Sequence, residues 1–144
     1  MLDSPEISLC QMQAHLFELS AKKGYDSEAF VKAFMNSGVA EDLDKEFNHV
    51  QWAGEEYLLS RLSDEKTDAI KQGLVLDTET LFWTGYLYRY WHFYTGESSK
   101  LIYQQVPISV LNKVYLSFHT MGIEMAIDRL KEICLSHTNF RNIT

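Results

Sequence analysis

Proline and cysteine are scarce in this sequence, two of each in 144 residues, and glycine appears only seven times. So little turn-forming material disfavours a fold of many short strands and favours a few helices. Cys10 and Cys134 stand alone without CxxC spacing, so they read as reduced core thiols rather than a disulfide or metal pair. No apolar run approaches the roughly 20 residues that cross a bilayer. Met1-Leu2-Asp3-Ser4-Pro5-Glu6 puts acid where a secretory signal would carry base. The expected compartment is the cytoplasm, with no membrane partner. Positive charge is also short: thirteen Lys/Arg stand against twenty Asp/Glu, for a net charge of −7. The deficit lies in residues 1–80, with sixteen acids and seven Lys/Arg; residues 81–144 have four and six. Nucleic-acid binding needs cations clustered toward phosphate, and no cluster is visible, so direct nucleic-acid binding is not expected. The acidic half suits either a solubilising surface or a basic protein partner.

Aromatics are what the sequence has in plenty. Residues 81–94, Leu-Phe-Trp-Thr-Gly-Tyr-Leu-Tyr-Arg-Tyr-Trp-His-Phe-Tyr, hold eight of the nineteen Phe, Trp and Tyr residues. At a helical step of about 100° per residue the side chains sort into two halves. Phe82, Trp83, Tyr86, Leu87, Tyr90, Trp91, Phe93 and Tyr94 cover one half; Thr84, Gly85, Tyr88, Arg89 and His92 share the other. An apolar arc this wide predicts a central helix over 78–95, contacted on several sides. The whole chain, 1–144, is expected to be a single all-α domain, a bundle of six or seven helices around it.

Start and stop signals place the others. Ser4-Pro5-Glu6 opens a helix with Leu9, Met12, Leu16 and Leu19 on its stripe, and Lys22-Lys23-Gly24 closes it. Asp26 caps the next, with Tyr25 packing on Phe30 as a staple. A stripe through Leu43, Phe47, Val50, Tyr57 and Leu58 predicts one helix from Val39 to about Leu62, kinked at Gly54. Trp52, Leu59, Glu56 and His49 lie off that stripe and form a candidate partner-binding or self-association strip. Residues 63–76 are polar. Ser98 or Ser99, Pro107 and Thr120 mark three further helix starts.

For chemistry, the polar half of the aromatic helix is the sharpest group. Arg89 would clamp a carboxylate or phosphate, His92 would move a proton, Tyr88 is its i,i+4 neighbour, and Gly85 would leave room for a small anion. The structural alternative is equally concrete: Arg89 pairs with an acid of the first half and Gly85 admits a crossing helix. There is no HExxH, Cys/His ligand spacing or nucleophile elbow, so neither a metal, a cofactor nor a hydrolase triad is argued.

Phe82-Trp-Thr-Gly-Tyr-Leu-Tyr-Arg-Tyr-Trp-His-Phe-Tyr-Thr-Gly-Glu-Ser-Ser-Lys100, with Ser117-Phe-His-Thr-Met121 and Ala126-Ile-Asp-Arg-Leu130, resembles a set of small uncharacterised proteins of low-GC Gram-positive bacteria, over about residues 27–133. Some members of that set are encoded beside toxin–antitoxin-like or mobile-element genes. The resemblance implies a small regulatory or neutralising protein and supplies no catalytic residues. The leading expectation is therefore a non-enzymatic, antitoxin-like interaction protein whose acidic surface and an aromatic anchor meet a basic protein or toxin. The alternative is an anionic-ligand domain or small enzyme using Arg89, His92 and Tyr88.

Overall fold

The structure, a computed structural model, describes residues 2–45 and 54–143, with side chains as far as Ser136. Among these residues it is all-α, with eight α-helices where six or seven were expected: α1 (Ser4–Lys22), α2 (Ser27–Met35), α3 (Gly38–Asp44), α4 (Glu55–Glu65), α5 (Thr78–Thr95), α6 (Ser99–Gln105), α7 (Ile108–Phe118) and α8 (Ile123–Ile143). A short 3-10 turn, Thr67–Ile70, follows α4. No helix among the described residues is long and apolar enough to cross a membrane.

Local chemistry explains most boundaries. Asp3 rather than Ser4 is the N-cap of α1, in a reciprocal capping box with Glu6. Asp26 accepts from the Ala29 amide at 2.9 Å to cap α2, and Tyr25 stacks on Phe30 at 6.5 Å. Gly96, at φ 80°, ends α5 in the left-handed conformation that costs a residue without Cβ least.

The expected single helix over 39–62 is broken, with α3 and α4 at the two ends of its described residues. Helix α3 stops at Asp44, because Lys45 turns extended (φ −87°, ψ 133°), and α4 begins after Gly54, whose φ of 66° is not helical. The acids Glu41, Asp42 and Asp44 suit the start of a long helix, but in a helix of seven residues only Glu41 falls in the first turn, and Asp42 and Asp44 are instead met by Arg61 and Arg89 from other helices. Phe47 and Val50 of the proposed stripe lie outside the described residues.

Helix α5 runs through the middle, and its contact with α1 is the most extensive of any pair. The two approach most closely at Gly85, where a Cβ would stand 2.7 Å from the Gln13 carbonyl oxygen and 2.9 Å from Ala14 Cα. Small residues on both helices permit this, so Ala14 and Phe17 are fully buried while Leu9, Met12 and Leu19 of the predicted stripe are only partly so. The polar interlude after the 3-10 turn is a strap across the α1–α2 corner. The Asp26 amide donates to the Lys71 carbonyl at 2.7 Å, and the Leu76 amide to Ser27 Oγ at 2.9 Å. One continuous apolar core results, with Trp91, Phe17, Phe30 and Phe34 at 0% exposure.

Candidate functional site

The residues that the sequence groups on the polar half of α5 are together, but beneath other helices. Arg89 is 1% exposed. Its Nε donates to Gln13 Oε1 at 2.8 Å, one terminal nitrogen to Asp44 Oδ1 at 2.7 Å and the other to Ser99 Oγ at 3.2 Å. Burial pulls the guanidinium below its ordinary value, and Asp44 works in the opposite direction. Asp44 also accepts from the Ser99 amide and hydroxyl, at 2.9 and 2.7 Å, so it ties α3 and α6 to α5. The carboxylate that Arg89 was expected to clamp thus comes from the chain itself.

The other three members follow suit. Tyr88 is buried, and its hydroxyl donates to the Val106 carbonyl at 2.6 Å. Burial pushes that phenol well above its usual value, which removes it from proton transfer near neutrality. His92 donates from Nδ1 to the Glu97 carbonyl at 2.7 Å, with Asp44 Oδ1 at 3.7 Å. The space that Gly85 leaves is filled by α1, not by a ligand. The anion pocket expected on this face is therefore a closed network crossing four helices. It can hold the fold in register; reaching it would require displacing Asp44.

Of the second candidate strip, Trp52 and His49 lie outside the described residues. Glu56 is exposed, while Leu59, at 6% exposure, belongs to the core. Among the described residues no group of three His, Cys, Asp or Glu stands close enough to hold a metal.

An open site that the sequence did not single out lies between α5 and α7. Phe82, Trp83 and Tyr86 line one side, Tyr115 and His119 the other, and Met121 and Ile123 close an end of a cleft of about 450 Å³. Trp83 meets Tyr115 edge-on (5.6 Å, 74°), and Tyr115 stacks on His119 (4.4 Å, 14°), held by the His119 Nδ1 donating to the Tyr115 carbonyl. Glu18 and Glu79 flank the rings, and among the described residues no lysine or arginine lines the cleft. Burial, then the charges of Glu79 and Asp77, push the Tyr115 phenol up. Part of this was visible in the sequence. Glu79, Phe82, Trp83 and Tyr86 recur at i, i+3, i+4 and i+7, and Tyr115 and His119 are i,i+4 neighbours. What the sequence could not give is that α7 stands opposite that stripe.

Compared with known proteins, the chain matches no family model, no curated protein and no solved structure.

Proposed function

We propose that this chain is a non-enzymatic, cytoplasmic interaction protein that engages a basic protein partner across the face where α5, α7 and α8 meet. The observation that carries this reading is the cleft itself: aromatic, open, flanked by two acids and, among the described residues, lined by no lysine or arginine. Its neighbours add to it. Leu116 on α7 is 81% exposed and Met125 on α8 is 56% exposed, on the two helices that rim the cleft. Exposed apolar side chains on helices that contribute to an aromatic pocket, within a molecule of net charge −7, suit a docking site with a ring-lined centre and long-range attraction for positive charge. In this reading Trp83 is the aromatic anchor. The antitoxin-like role implied by the resemblance is one form of the same proposal, in which the partner is a basic toxin and docking occludes it. Self-association is the less favoured occupant, since two copies of like charge repel.

The test uses the full chain, tagged and incubated with lysate of its own source at low salt. A partner retained in stoichiometric amount by the wild type, released by salt and lost with Leu116→Asp is the expected result. No salt-sensitive partner, or a wild-type mass of two chains in light scattering, would count against it.

A further inference from the structure

Among the described residues one grouping of ring, carboxylate and cation is complete. Lys131 Nζ lies 5.8 Å from the centre of the Trp91 ring and pairs with Glu97, which also accepts from the Trp91 indole N–H at 2.9 Å. Around Trp83 the first two members recur without the third. Glu79 stands one helical turn before Trp83 and has no ion-pair partner among the described residues, and the lining includes no lysine or arginine. Glu18, the other acid, is shared with Lys22 at 3.4 Å on its own helix and so is the weaker counter-charge.

We propose that the cleft between α5 and α7 receives an arginine side chain of the partner protein, its guanidinium stacked on the Trp83 ring beside Tyr115 with Glu79 as counter-ion. This rests on the interaction reading and deepens it by naming the group recognised. Three properties of the site select arginine. At the near-perpendicular contact of Trp83 and Tyr115 one face of Tyr115 is already covered by His119, so a planar guanidinium would stack on Trp83 while its edge reaches a carboxylate. A cleft of about 450 Å³ is roomy for a bare ammonium but accepts a long side chain with its aliphatic stem against Phe82 and Ile123. The partly buried rings withhold water from one side of the cation, which strengthens a cation–π contact over one made at an open surface.

The experiment titrates the full-length chain with Nα-acetyl-argininamide and follows the tryptophan indole N–H resonances by NMR, with Trp83 assigned by Trp83→Phe. The neutral isostere Nα-acetyl-citrullinamide and tetramethylammonium are parallel probes. Saturable movement of the Trp83 resonance by the arginine probe is expected, with little movement by citrulline. Glu79→Gln, an exposed first-turn change, should weaken binding by about three- to tenfold, and Tyr115→Leu, which keeps apolar bulk but removes the ring, by a similar factor. Unchanged far-ultraviolet dichroism of both variants separates binding from folding. Equal movement by citrulline, or undiminished binding to Glu79→Gln, would overturn the proposal. Tighter binding of tetramethylammonium than of arginine would overturn it in favour of a small quaternary ammonium ligand. If the arginine probe fails while Leu116→Asp still abolishes partner capture, the cation falls and the interaction reading stands.

Discussion

Arg89 is a guanidinium 1% exposed, and a charge so buried is tolerable only with each of its nitrogens hydrogen-bonded. Gln13, Asp44 and Ser99 provide that from three separate helices. Removing one partner leaves the other stranded, so Arg89→Met should destabilise by about 3–5 kcal/mol in urea unfolding. Pairing it with Asp44→Asn should cost clearly less than the sum of the two single changes, because both describe one interaction. Additive effects would show that the pair does not act as a unit. Gly85→Ala tests the helix crossing beside it. In an open helix that change gains about 1 kcal/mol, yet here the new methyl meets the backbone of α1, so a net loss of about 1–3 kcal/mol is expected in the same assay. A stabilised Gly85→Ala would mean that α1 gives way easily. The sequence grouped Arg89, Tyr88, Gly85 and His92 correctly on one side of a helix. Whether that side was open depended on Gln13, 76 positions away, and no local pattern encodes such a meeting.

Helix α5 was the most legible element, because eight rings at helical spacing leave few other arrangements and Gly96 supplies an unambiguous stop. Helices α3 and α4 were the least. Their stripe continues in sequence, and the break at Lys45 is stabilised by contacts of Asp44 that only the folded chain provides. The turn after α5 holds a further device of that kind. Glu97 accepts from the Trp91 indole of α5, from Gln105 of α6 at 2.7 Å and from Lys131 of α8, so one carboxylate joins three helices. Burial alone would raise its pKa; the hydrogen bonds, led by Lys131, outweigh that and bring it down to about 2. A carboxylate depressed in the folded state contributes stability above its unfolded value, and that contribution drains away as pH falls from 4.5 toward 2. Wild type should therefore be more stable than Glu97→Gln at neutral pH, and the gap in melting temperature should narrow across that acid window. A gap that stays constant with pH would place the role of Glu97 in packing rather than charge.

At the scale of the whole molecule, composition foretold an all-helical chain, and the aromatic excess foretold a core with one helix at its centre. It did not foretell that the helix would bury its polar half most completely and leave Phe82, Trp83 and Tyr86 partly exposed, since burial is settled by which neighbour fits closest. The two thiols report on how far this core behaves as one body. Cys10 on α1 is 0% exposed, and burial pushes its pKa up to about 12, with Arg89 only partly countering. Cys134 on α8 is partly exposed in a groove lined by Val110 and Val114. A thiol reacts as an accessible thiolate, so a disulfide reagent at neutral pH should modify Cys134 promptly. Cys10 should react only when α1 leaves α5, and because that contact is the largest in the fold, its opening should require global unfolding. In a Cys134→Ser chain the modification rate of Cys10 should thus rise with urea as steeply as the equilibrium unfolding constant does. A shallower slope would mean that α1 opens on its own, leaving a core of separable parts in place of a single cooperative unit around α5.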